Sequence, residues 1–196
     1  MKKAFLFLLL SIIAIPNFAQ GDRRISASRF HFIKEIDCSD YTNKRFRYEI
    51  AVRSPEAFAE KSVKIEVASS INNVEIKKPA SIVESRREQE WVIFSVMGTI
   101  GTQCEKLSFR MIVNGKGQFY FDDVNLYIEE NPSKWKQLTL HNPSFEEEST
   151  SVPGYIINNP RNTAMTYTLS RDVYKVGKQS LLVETTDNRF ILNFEF

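Results

Sequence analysis

Between Gln118 and Ile128 the apolar residues change phase. Phe119 and Phe121 stand at odd positions, Val124, Leu126 and Ile128 at even ones, and the change falls at Asp122-Asp123. Side chains alternate faces along a strand, so a one-residue slip would turn half of these residues out to solvent. A bulge at the aspartate pair absorbs the extra residue and keeps both halves on one core. Gly115 and Gly117 supply the preceding turn. The stretch therefore predicts a strand with one buried face, closing a β-sandwich. Its two carboxylates have two readings: ligands of a cation, or a solvated rim.

The residues before it agree. Ile25 to Ile36 carries Phe30, Phe32, Ile33 and Ile36 in imperfect alternation, followed by a Ser/Asp/Asn-rich turn to Lys44. Arg45 to Arg53 alternates cleanly, with Phe46, Tyr48, Ile50 and Val52 on one face and Arg45, Arg47, Glu49 and Arg53 on the other. Ser54-Pro55-Glu56 can cap one or two helical turns through Lys61. Val63 to Val67, Trp91 to Val96 and Leu107 to Val113 read as strands, and the charged stretch from Asn72 to Glu90 as an edge hairpin or long loop. About seven strands with turns between them and no long helical period predict an all-β fold, an antiparallel β-sandwich of jelly-roll type.

Glu129 to Lys134 is polar and contains Pro132. It divides the chain into a sandwich module at 20–130, a linker at 131–136 and a partial second jelly-roll module at 137–196. Thr166–Leu169 and Ser180–Val183 read as strands there. Phe190, Leu192, Phe194 and Phe196 alternate to the last residue, as in a chain cut short. A second arrangement also satisfies the pattern: the C-terminal strands complete the first sandwich, giving one permuted domain.

Residues 1–19 have secretory-signal layout: Lys2-Lys3, an apolar run from Ala4 to Ile15, and Asn17-Phe18-Ala19 before Gln20. The run is short of the roughly 20 residues that a membrane span needs. The chain is expected to be exported, to a periplasm, an outer surface or the medium, with no membrane span after the signal is removed. Losing Lys2 and Lys3 leaves 24 basic residues against 24 acidic ones. That balance argues against nucleic acid as partner, which requires a basic surplus. Cys38 and Cys104 each sit in a polar turn beside a strand. An oxidising compartment permits a disulfide between them, and two free thiols is the alternative.

Several motifs carry a resemblance. Asn142-x-x-Phe145-Glu146, Pro153-Gly154-Tyr155 and Gly177-Lys178-Gln179-Ser180-Leu181 resemble the opening of galactose-binding-like jelly-roll modules of the carbohydrate-binding type, with Tyr155 where tryptophan is usual. Phe121-Asp122-Asp123-Val124-x-Leu126 resembles the closing strand of such a module. The segment from Ile36 to Phe46 resembles its middle, with Asn43 in place of a glycine. The layout resembles the N-terminal accessory region of exported Bacteroidetes-type tail-specific (C-terminal-processing) serine peptidases, whose hydrolase domain lies downstream. The resemblance implies a structural Ca²⁺ held by the opening Glu strand and the closing Asp strand, here Glu146 with Asp122 or Asp123. Six to eight hard oxygen ligands suit calcium, and solvated carboxylates are the plainer reading.

No catalytic motif is present. The two histidines, His31 and His141, lie in strand-like or linker contexts, with no Gly-x-Ser-x-Gly elbow and no His-Glu-x-x-His. Sugar binding needs an exposed aromatic platform with polar neighbours, for which Tyr120, Tyr155 and Trp91 are the candidates, against ordinary core packing for each. The chain is thus expected to be a non-catalytic accessory segment. It would bind a polysaccharide or cell-surface polymer, or space and dock a downstream hydrolase domain. The alternative is an N-terminal fragment of a secreted serine peptidase without activity of its own.

Overall fold

The computed structural model describes residues 31–55, 62–72, 74–77, 81–113, 116–149, 151–158 and 165–186. The expected signal, the helical turns after Pro55 and the alternation from Phe190 to Phe196 lie outside the described residues.

Among the described residues twelve strands follow in order: β1 His31–Asp37, β2 Arg45–Arg53, β3 Val63–Ile71, β4 Val74–Lys77, β5 Ser81–Glu88, β6 Trp91–Thr99, β7 Lys106–Val113, β8 Gly117–Asn131, β9 Lys134–Leu138, β10 Ile156–Asn158, β11 Met165–Ser170 and β12 Ser180–Thr185. They form two antiparallel sheets. One has the order β10-β1-β7-β3-β4; the other has the order β11-β12-β8-β2-β6-β5, with β9 also paired to β8. The fold is an all-β antiparallel sandwich, as the alternation predicts. Among the described residues no helix is long and apolar enough to cross a membrane.

Strand β8 carries the expected bulge. Glu49 of β2 faces Asn125 and Ala51 faces Asp122, so Asp123 and Val124 together oppose Ile50. Asp123 takes φ +52°, a left-handed conformation that an aspartate tolerates better than most residues. The result is that Phe119, Phe121, Val124, Leu126 and Ile128 are all buried.

The boundary expected at 131–136 is instead the turn of a hairpin, with Asn131 paired to Lys134 and Ile128 to Lys136. Among the described residues, the strands beyond it do not build a second sheet system. Strand β10 pairs with β1, Ile156 opposite Ile33. Strand β12 pairs with β8, Leu181 opposite Phe121 and Val183 opposite Phe119. The C-terminal strands thus complete the sandwich begun by the N-terminal ones. A polar turn between two strands of one sheet has the composition of a linker, and local sequence does not separate the two.

The interior draws on both sheets. Phe32 of β1 meets Phe121 of β8 edge-on at 4.9 Å, and Tyr48 of β2 stacks on Phe109 of β7 at 4.1 Å. Phe145, from the connection between β9 and β10, is fully buried among them at φ +58°. Strands β4 and β5, from the charged stretch expected at an edge, are edge strands of the two different sheets. Charged residues there discourage pairing with another chain.

Candidate binding face

The outer face of the seven-stranded sheet carries the one arrangement of aromatic, guanidinium and amide groups in the described residues that we single out as a candidate site. Strand parity puts it there. Phe46, Tyr48 and Val52 point inward, so Arg45, Arg47, Glu49 and Ala51 point outward. On β8 the residues between Leu126 and Ile128 and on either side follow the same rule, placing Asn125, Tyr127 and Glu129 outside.

At one end, registration lines up Met97, Arg47, Tyr127 and Gln137 across four strands. In the next row Trp135 faces Glu129. The Arg47 guanidinium lies 4.5 Å from the Tyr127 ring centroid and 5.2 Å from that of Trp135, and Arg45 lies 5.6 Å from Trp135. A guanidinium over an aromatic face is attracted by the ring quadrupole, so the rings and the two arginines hold one another in place. Both rings remain partly exposed. Gln137 Nε2 donates to Asn125 Oδ1 at 2.6 Å. Asn125 and Gln137 also border a depression of about 330 Å³ that continues toward Thr139, Leu140 and Pro143.

The middle of the face is tied down by Glu49, only 8% exposed. Its Oε1 accepts from Arg86 Nη1 and from Ser95 Oγ, each at 2.9 Å. The far end is covered. Val173 and Tyr120 pack there on a small cluster of Ala51, Trp91 and Ile93, and Lys175 reaches Glu88 and Asp123.

That cover explains where the expected site residues go. Trp91 is 6% exposed within this cluster, with Val173 and Tyr120 packed against it, and offers no platform to a ligand. Tyr120 packs at its side and donates its hydroxyl to Gln118 Oε1 at 3.3 Å. Tyr155 is elsewhere: its ring stacks on Phe145 at 4.8 Å and meets Phe32 at 5.8 Å, with a buried hydroxyl that has no hydrogen-bond partner. The three are not brought together. Tyr127 and Trp135, which the sequence reading passed over, are the paired aromatics. Their signal was parity: Tyr127 stands between two inward residues, and Trp135 between Lys134 and Lys136.

The expected calcium residues hold the loop instead. Asp122 is fully buried, and its Oδ2 accepts the N–H groups of Lys175 and Val176 at 2.6 and 2.9 Å while Oδ1 accepts that of Asp123 at 2.7 Å. Burial pushes its carboxyl up to about 6, against the pull of those three donors. Asp123 Oδ2 takes the Lys175 ammonium at 2.6 Å, and its Oδ1 takes Asn125 Nδ2 at 2.8 Å. Glu146 Oε1 accepts the N–H groups of Lys178 and Gln179 at 2.9 and 3.1 Å. The oxygens named here are thus engaged by N–H and ammonium donors of the chain itself. Among the described residues no group of three or more His, Cys, Asp or Glu side chains is arranged to hold a metal.

At the end of the sandwich, Lys34 is 3% exposed. Its ammonium donates to the carbonyls of His141 and, at 3.1 Å, Gly154, and it lies 4.3 Å from the Tyr155 ring centroid. Desolvation by burial lowers it to about 8, although Glu147 pulls the other way. Asn142 Nδ2 donates to Pro153 O at 3.0 Å, closing the same connection. Cys38 and Cys104 are buried side by side, their sulfurs 2.6 Å apart and not joined.

No protein family, no curated protein and no solved structure matches this chain.

Proposed function

We propose that this chain is an exported, non-catalytic accessory sandwich that binds a glycan through the outer face of its seven-stranded sheet. The observation that carries the reading is the platform of Tyr127 and Trp135, held by Arg45 and Arg47 and flanked by the amides of Asn125 and Gln137. A pyranose ring offers C–H groups to an aromatic face and hydroxyls to neighbouring amides and guanidinium groups. A partly exposed aromatic pair beside such donors meets both requirements. The signal layout of residues 1–19 and the resemblance to carbohydrate-binding modules of exported Bacteroidetes-type proteins support the same reading. A role in carrying or docking a hydrolase is compatible with it, because a sugar-binding module serves an enzyme by holding it on its polymer.

Affinity gel electrophoresis tests the reading. Retardation by at least one polysaccharide of a panel, lost on Trp135→Ala, is the expected result. Equal mobility in every gel would overturn it.

A further inference from the structure

Resting on that reading, we infer that the glycan is acidic, and that Arg47 takes a ring carboxylate of a uronic-acid polymer. Arg45 is paired with Glu129 at 3.4 Å, Arg86 with Glu49 at 2.9 Å, and Lys175 with Asp123 at 2.6 Å. Arg47 is left over. Its nearest carboxylate oxygen, Glu49 Oε1, is 3.6 Å from Nε and already accepts from Arg86 and Ser95. Nε is buried without a hydrogen bond, and among the described residues Glu49 is the one carboxylate paired with this guanidinium.

An arginine so placed has a use. Tyr127 and Trp135 fix the plane of the guanidinium beside the platform on which a sugar ring would sit. The terminal nitrogens form a rigid fork that matches a carboxylate with two parallel N–H···O bonds. Glu84, the next acidic residue on this face, lies in the row of Ser95 and Glu49 on the edge strand, not in the row of Arg47. A planar carboxylate attached to a pyranose suits the fork and the rings together, which is why a uronate is favoured over a sulfate ester.

Isothermal titration of the full chain with polygalacturonate and with its fully methyl-esterified form tests this without altering the protein. The acid should bind at least tenfold more tightly than the ester, as expected for charge-assisted hydrogen bonds. Arg47→Lys should remove that preference while melting as the parent does, and Lys64→Gln, on the five-stranded sheet, should change it less than twofold. Equal affinity for acid and ester, or an undiminished preference in Arg47→Lys, would overturn the inference and leave glycan binding standing. Preference for dextran sulfate over polygalacturonate would overturn the carboxylate assignment. Absence of binding to acidic and neutral polymers alike would overturn the reading beneath it as well.

Discussion

The carboxylate of Asp122 accepts the backbone N–H of Lys175 at 2.6 Å, linking the bulge of β8 to a loop 53 residues further on. The same oxygen holds Val176. A side chain chosen by the phase slip of one strand therefore holds the segment whose Val173 packs on Ala51, Trp91 and Ile93. Asp122→Ala strands those donors and should cost about 3 kcal/mol, read by urea unfolding at pH 7.

The pH dependence of that loss has a definite sign. Folded Asp122 titrates near 6, above its ordinary value of 3.8. Between those values the native state binds more protons than the unfolded state, so its contribution to stability falls as pH rises from about 4 to 6 and is level above. The stability difference between the parent and Asp122→Ala should follow that curve. A difference that grew with pH over this window would show the N–H groups outweighing burial.

Gly177 is required where it stands. At φ +75° an added Cβ would collide with Glu146 Oε1, the atom that holds Lys178 and Gln179. Gly177→Ala should cost about 2 to 3 kcal/mol through strain and displaced hydrogen bonds. In the double variant with Glu146→Ala the two costs should sum to more than the measured loss, because the collision is gone.

Lys34 predicts an alkaline signature. Its folded value of about 8 lies below the ordinary 10.5, so the unfolded state binds more protons between them. Stability should rise with pH from about 8 to 10.5. Thermal melts across that range should show the rise in the parent and its absence in Lys34→Met.

Cys38 and Cys104, 66 residues apart in sequence, should join under mild oxidation. A mass decrease of about 2 Da, with the higher melting temperature expected of a cross-link worth about 4 kcal/mol, would establish the bond. Unchanged mass after oxidation would establish two free thiols.

The local features of this fold were legible in the sequence and the distant pairings were not. Strand β2 shows itself because Phe46, Tyr48, Ile50 and Val52 alternate without a break. The bulge shows itself because Phe121 and Val124 cannot share a face otherwise. By contrast, Leu181 meets Phe121 across 60 residues of chain, and no local pattern announces that pairing. Pro132 and the glutamates around it look the same in a linker and in the hairpin that they form. Trp91 looked like a platform because its cover, Val173, comes from a loop whose position depends on Asp122. Tyr127 and Trp135 were within reach of parity alone, had outward aromatics been weighed by their neighbours across the strands.

The most direct measurement uses the two tryptophans of the chain, one on the platform and one beneath the loop. Tryptophan emission is followed while the polysaccharide panel, polygalacturonate included, is titrated into the parent, Trp91→Phe and Trp135→Phe. A saturable change in the parent and in Trp91→Phe, absent from Trp135→Phe, is the predicted result. No change in the parent with any polymer, or a change that survives in Trp135→Phe and disappears in Trp91→Phe, would contradict the placement of the binding face.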